Sequence, residues 1–350
     1  MTSHSKGKPL TLKELKAFRK RKLMERQWYS VRSIFGNTWA FFFILLGARE
    51  AGKSYAVMKQ FVKDWKEKKK PFTWLRLTEA SQRKLLNNNA DKFIDADLRR
   101  KFDLDLTVKG MQVFDHGEPM AKVLALSTFY NDKGVALFDN EFDLGYNICL
   151  DEMNREKNEK RNFDIGYAFV NQMENLVRST KEKLRIVLIG NTLEEAGDIL
   201  CMFGFVPEQF GRYKVRKKKA VIDYIAPSKA YLTRRKGTVA DLLAPEDSTF
   251  TNEIKSDISK LYKGRLHKPS KVIMFDKNTK FTVWDSNIVC PYKNEKVPVI
   301  AMRPYLDEQF IPELRDTVLE LFNTRSLLFR NLITQKLFKK QLELLKPQGR

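Results

Sequence analysis

FFFILLGAREAGKSY, residues 41–55, sets eight consecutive apolar or small residues directly against a charged turn that ends in Gly52-Lys53-Ser54. The turn as a whole, Gly47-Ala48-Arg49-Glu50-Ala51-Gly52-Lys53-Ser54, satisfies the pattern GxxxxGK[ST]. From average residue frequencies, a chain of this length meets that pattern by chance on the order of one time in a hundred. Its surroundings add to the signal, because the apolar run before it reads as a buried strand and residues 55–66 after it read as a helix. Gly47 and Gly52 let the backbone curl so that its N–H groups surround a β-phosphate at a helix N-terminus, where partial positive charge collects. Lys53 adds a point charge for the β- and γ-phosphates, and the Ser54 hydroxyl is a ligand for Mg²⁺. Residues Gly47, Ala48, Arg49, Glu50, Ala51, Gly52, Lys53, Ser54 and Tyr55 are therefore the expected ATP site, with ATP and Mg²⁺ as cofactors.

A phosphate-binding loop of this kind needs acidic groups on a second strand. Tyr146-Asn147-Ile148-Cys149-Leu150-Asp151-Glu152 supplies them, about a hundred residues downstream. Asp151, at the strand's end, is placed to hold the Mg²⁺ water shell, and Glu152 is free to polarise an attacking water. The pair points to hydrolysis rather than to a nucleotide switch. A further apolar run, Arg185-Ile186-Val187-Leu188-Ile189, leads into Gly190-Asn191-Thr192. In an ATPase with an extra strand between the loop strand and the acidic strand, a polar residue there sits beside the γ-phosphate. Asn191 is the candidate and Thr192 the reserve. Between these strands, Arg178 lies near the end of an expected helix, within reach of a neighbouring subunit's nucleotide as an arginine finger; Arg155, Arg161 and Arg185 compete for that role.

Short apolar runs (residues 40–46, 72–77, 123–126, 148–150 and 185–189) alternate with amphipathic stretches between about Trp39 and Gly204. That alternation is what a parallel sheet covered on both faces requires. The expected organisation is a basic extension over 1–38, an α/β ATPase domain over 39–206, a linker or lid over 207–245, and a separate α+β module over 246–350. A basic helix is expected over 11–26. In the last module, 271–275 and 280–284 read as a hairpin, 298–302 as a third strand, and 312–323 and 324–345 as helices.

Composition sets the partners. Sixty-five Lys and Arg against 43 Asp and Glu leave a formal charge of +22 over 350 residues, which favours a polyanion. Ten of the basic residues fall in the first forty positions, against two acidic ones; further runs lie at Arg212 to Lys219 and at Arg234-Arg235-Lys236. Phosphate-backbone contact is the reading that unites them. The longest apolar run is far short of the roughly 18 residues that cross a bilayer, and the polar, basic N-terminus lacks the apolar core of a secretory signal. Three scattered cysteines, Cys149, Cys201 and Cys290, make neither a disulfide framework nor a zinc site.

These residues resemble a known family, the DNA-packaging ATPases (encapsidation proteins) of small tailed phages of the phi29-like type. The resemblance is carried in order by FFFILLGAREAGKSYAVMK, FTWLRL, NICLDEMNREKNEKRN and ENLVRSTKEKLRIVLIGN. It implies a RecA-like ASCE P-loop ATPase domain, a linker, and a C-terminal RNase H-like domain that is a vestigial nuclease and binds nucleic acid or portal. It also implies a homo-oligomeric ring, usually a pentamer, at the portal vertex of a prohead, driving double-stranded DNA inward with ATP, with a packaging RNA among the docking partners. By position it makes Lys53 the Walker lysine, Glu152 the catalytic glutamate and Arg178 the trans-acting arginine finger. The expected location is the host cytoplasm, transiently at the prohead portal, and not the mature virion. Two other readings are open: a terminase-like protein whose C-terminal half cuts DNA, and a basic DNA-binding protein that uses ATP only structurally.

Overall fold

In the computed structural model, the described residues are 28–132, 144–154, 163–178, 183–191 and 197–243, then 261–262, 264–265, 269–274, 280–284, 288–291, 320, 322–324 and 327–345. Two units divide the chain, 1–194 with 209–254 and 195–208 with 255–350. The strands of the first are β1 (Phe42–Leu46), β2 (Phe72–Arg76), β3 (Leu106–Lys109), β4 (Gln112–Asp115), β5 (Glu118–Ala125), β6 (Tyr146–Leu150), β7 (Leu184–Gly190), β8 (Gly211–Val215) and β9 (Ala220–Tyr224). Those of the second are β10 (Pro269–Met274), β11 (Lys280–Trp284), β12 (Ile288–Pro291) and β13 (Leu328–Phe329). Along the chain the helices are α1 (Arg32–Phe35), α2 (Lys53–Lys68), α3 (Glu79–Ala90), α4 (Ala96–Phe102), α5 (Ile165–Val177), α6 (Asp198–Phe203), α7 (Lys229–Arg235), α8 (Val239–Leu243) and α9 (Leu332–Leu345).

The first unit is built on one sheet of order β3-β4-β5-β2-β6-β7-β1-β9-β8. Its middle, from β5 to β9, is parallel, and antiparallel strands close each edge. The five apolar runs marked in the sequence are β1, β2, β5, β6 and β7. All five residues of β6, and Phe43 to Leu46 of β1, are buried, as strands covered on both faces must be. Helix α2 covers one face with Val57, Met58, Phe61, Val62 and Trp65, three or four residues apart on one side of the helix. Phe61 sits 5.5 Å from the Phe72 ring and 6.3 Å from Trp74. Burying each such side chain is worth about 1.5–3 kcal/mol.

One polar bridge runs through this packing. Asp64 on α2 is buried and accepts from Asn147 Nδ2 of β6 (3.1 Å) and from Arg185 of β7. It fixes the helix that follows β1 to the two strands beside it. Just before β6, Gly145 has φ +77°, and a Cβ there would lie 2.3 Å from Lys183. The chain can pass from Gly145 into β6 beside the start of β7 only without a side chain.

The linker or lid expected over 207–245 is corrected in part. β8 and β9 are strands of the main sheet, and β9 pairs with β1 in register from Phe42↔Ala220 to Leu46↔Tyr224. The physical reason is that Ala220 to Tyr224 are all buried; the cationic turn before them masks a core strand.

In the second unit, β10, β11 and β12 form an antiparallel meander and β13 joins β12 in parallel. The β10–β11 hairpin matches the sequence reading. The helix expected over 324–345 starts only at Leu332, because Leu328 and Phe329 are a strand. Asn331 caps the helix, its Oδ1 accepting from Thr334 N at 2.8 Å. Phe281, Phe329 and Phe338 form its aromatic core, with ring separations of 5.3 and 5.5 Å to Phe338. Helix α6 belongs to this unit, with Cys201 packed on that core. The helix read over 11–26 and the strand read over 298–302 lie outside the described residues, as does most of the helix read over 312–323.

Candidate functional site

Parallel strands align their carboxyl ends, and the loop after β1, Asp151, Glu152 and Asn191 lie at that end. Strand β7 separates β1 from β6, pairing Leu46↔Gly190 on one side and Leu150↔Leu188 on the other. The loop after β1, Asp151 after β6 and Asn191 after β7 are thereby brought side by side. They line a cavity of about 260 Å³, whose walls include Arg49, Glu50, Ala51, Gly52, Lys53, Ser54, Tyr55, Asp151, Glu152 and Asn191.

The loop's curl has identifiable causes. Gly52 has φ +85° and closes against the Trp28 indole, which would lie 3.2 Å from any added Cβ. Glu50 also takes a left-handed φ of 57°, a conformation non-glycine residues hold only where surroundings enforce it. Lys53, buried at the first turn of α2, donates from Nζ to the carbonyls of Gly47 (2.8 Å) and Ala48 (2.6 Å) and lies 3.4 Å from Asn191 Oδ1. Burial pulls its ammonium down from the usual lysine range to about 8, and Arg49 acts in the same direction while Asp151 opposes them. A ligand with several negative charges would reverse that depression.

Ser54 Oγ donates to Asp151 Oδ1 at 2.8 Å. Asp151 is buried, and Arg76 Nη1, at the end of β2, donates to its other oxygen at 3.1 Å. The second Arg76 nitrogen pairs with Glu152. Glu152 itself is exposed, with a left-handed φ of 57°, and shares the Arg76 guanidinium with its buried neighbour. A hydroxyl and a carboxylate oxygen in contact are a hard-oxygen donor set suited to Mg²⁺. Among the described residues there is no group of three or more His, Cys, Asp or Glu able to hold a metal.

Every predicted site residue from 47 to 55, with Asp151, Glu152 and Asn191, is thus brought to one place. Arg178 is not: it is exposed at the end of α5 and does not line the cavity. Arg185, one of its competitors, is committed to Asp64 and to the Phe35 ring, 4.8 Å away. Thr192, Arg155 and Arg161 lie outside the described residues.

Sequence reasoning missed what braces the loop. Tyr231 Oη on α7 donates to Arg49 O (3.0 Å), Arg234 Nη2 to Glu50 O (2.8 Å) and Arg235 Nη1 to Glu50 Oε2 (2.6 Å). Arg234 also stacks on Trp28, 3.8 Å from its ring centre, and Tyr29 N donates to Ala51 O at 3.0 Å. Arg234 and Arg235, read as part of a polyanion-binding run, are therefore engaged with the loop. Arg76 was visible only as a strand-end residue; a cation at that position beside two carboxylates was the available signal.

The family model for the podovirus DNA encapsidation protein (Gp16) matches residues 25–287. A DNA packaging protein of Bacillus phage B103 is 26% identical over 182 residues, 49% of this chain and 51% of that protein; the match spans about half the length of that curated relative. Among solved structures, the bacteriophage Phi-29 viral genome packaging motor assembly superposes with a TM-score of 0.62 at 20% identity, covering 91% of this chain and 99% of that one. The Phi-28 gp11 DNA packaging motor gives 0.60 at 14% identity, covering 93% and 99%. At these identities the two structures establish a shared fold.

Proposed function

Because this chain belongs to the podovirus DNA encapsidation protein (Gp16) family, we propose that it is the ATP-hydrolysing subunit of a ring motor that moves double-stranded viral DNA into a prohead. The observation that carries the reading is the Ser54–Asp151 contact of 2.8 Å in the same cavity as Lys53 and Asn191. Four residues from three parallel strands converge where a triphosphate's β- and γ-phosphates would lie. Ser54 and Asp151 are the residues that would hold Mg²⁺, which would supply neutralisation of phosphate charge. Lys53 leaves its two carbonyl acceptors for the phosphates. Glu152 accepts the proton of the attacking water, Asn191 orients the γ-phosphate, and Arg178 reaches the nucleotide of a neighbouring subunit.

In this reading the first unit is a RecA-like ASCE domain, supported by a parallel sheet with one strand between the loop strand and the acidic strand. The second is an RNase H-like vestigial nuclease domain, supported by its meander with an added parallel strand. The partners are a ring of like subunits, a pentamer by resemblance, with portal, duplex DNA and a packaging RNA. The test is phosphate release by the full-length protein with and without duplex DNA and prohead. DNA-stimulated turnover is expected. Glu152→Gln should bind ATP with near wild-type affinity and lose at least about a hundredfold in turnover, whereas full turnover in that variant would remove Glu152 from the mechanism.

A further inference from the structure

At the end of the sheet remote from the cavity, the β8–β9 turn presents Arg216, Lys217, Lys218 and Lys219 consecutively, all exposed. β9 lies parallel to β1, with Ala220 opposite Phe42 and Tyr224 opposite Leu46. The turn therefore meets the start of β1, while the loop 47–54 leaves its end, about 16 Å away along the strand.

Four adjacent cations repel one another, yet this turn is anchored at both ends. The Arg216 guanidinium lies 4.5 Å from the Trp39 ring centre and Lys219 Nζ 4.1 Å from that of Phe41. Phe41 N and Phe42 N both donate to Lys219 O, at 2.8 and 3.1 Å. Lys219 closes the turn with a left-handed φ of 47°. The outer two residues are thus docked on aromatic rings, and Lys217 and Lys218 project between them. Lys214, one turn back on the edge strand β8, is exposed as well. None of these three lysines has an ion-pair partner among the described residues, and the carboxylate of β9, Asp223, lies toward the other end of the strand, opposite Leu45, where Arg212 (2.7 Å) and Tyr29 (2.7 Å) hold it. One or two charges would suffice to protect an edge strand from pairing; an anchored cluster with no acidic counterpart among the described residues fits an external anion.

We propose that Lys214, Lys217 and Lys218 form a contact for the phosphate backbone of duplex DNA. A pre-ordered turn loses little entropy on binding, and its cations match phosphates without reading bases. The proposal rests on the reading that this chain handles DNA, and adds where. It places DNA and nucleotide at opposite ends of β1.

The experiment is salt-dependent binding of the full-length protein to a 30-bp duplex, in DNA and in RNA form, by fluorescence anisotropy. For Lys214→Ala/Lys217→Ala/Lys218→Ala, the slope of log affinity against log salt for DNA should fall by about 2–3, with affinity at low salt reduced about tenfold or more. The same positions changed to Arg should restore the slope, which separates charge from folding. Removing equal charge elsewhere, with Lys92→Ala/Lys101→Ala/Lys109→Ala, should leave it in place. An unchanged DNA slope in the first variant overturns the surface while leaving the functional reading intact. A loss confined to the RNA duplex also overturns it. Wild-type protein that binds neither duplex overturns the proposal together with the reading beneath it.

Discussion

Lys53 is the residue whose proton count nucleotide binding should change. Its folded-state pKa, lowered by burial to about 8, lies below the ordinary value of 10.5. The sign follows: between those values the unfolded chain binds more protons, so this group's contribution to stability rises with pH through about 8 to 10.5 and is unfavourable below. A polyphosphate beside the ammonium favours the charged form and raises the pKa again. Near pH 8, where about half the lysines are neutral, ATP binding should take up about half a proton per site, falling toward zero at pH 6.5. Calorimetry in two buffers of different ionisation enthalpy reads this directly, and Lys53→Ala should abolish it. A pH-independent proton count would contradict the assignment. At the same scale, Arg76 holds a buried Asp151, with side-chain exposures of 14% and 10%. Arg76→Ala leaves that carboxylate without its cation and should cost about 3 kcal/mol in a urea unfolding experiment. A loss below about 0.5 kcal/mol would show the pair to be incidental.

At the scale of elements, the sequence was readable where one signal dominated and opaque where two competed. β1, β6 and β7 are short apolar runs followed by polar residues, and their hydrophobicity and site residues point to the same strand ends. β8 and β9 carry two messages. Arg212 to Lys219 reads as a solvated charge run, while Ala220 to Tyr224 is buried throughout; the buried Asp223 hides that run by breaking its apolar pattern, and only the structure shows Arg212 and Tyr29 satisfying it. β3 and β4 were missed for a related reason. Their strands are four residues each, too short for a periodic pattern, although Gly110 and Gly117, both at positive φ, mark the turns that follow them. The candidate site was legible because the GxxxxGK[ST] pattern fixes residue types at set spacing. Its brace from α7 was not, since long-range contacts from Tyr231, Arg234 and Arg235 to the loop have no sequence period. The element-scale prediction separates a core strand from a lid: Ile222→Ala, at a fully buried position of β9, should destabilise global unfolding by about 2–5 kcal/mol. Local loosening with an unchanged global midpoint would return this segment to the role of a lid.

At the scale of the whole molecule, the separation of Arg178 from its own cavity becomes informative. Every other predicted catalytic side chain lines that cavity, whereas Arg178 is an exposed residue at the end of α5, in an unusual backbone conformation with φ 44° and ψ −125°. An arginine serving a neighbour's nucleotide has to be outside its own site, and closed rings bring such surfaces together in every subunit by the same rotation. The consequence is a complementation pattern. In the proposed ring, a subunit with Arg178→Ala would retain an intact cavity but offer its neighbour nothing, and one with Lys53→Ala would have a dead cavity but an intact arginine. Each variant alone should show little DNA-stimulated hydrolysis. In rings assembled from an equal mixture, half the cavities are intact, and half of those receive Arg178 from a Lys53→Ala neighbour, so about a quarter of wild-type turnover should return. Co-expression with two affinity tags isolates the mixed rings, and phosphate release measures the recovery. Mixed rings as inactive as either parent would place Arg178 in its own subunit's chemistry or outside the reaction. Activity in Arg178→Ala rings without mixing would show that no arginine finger is needed at this position.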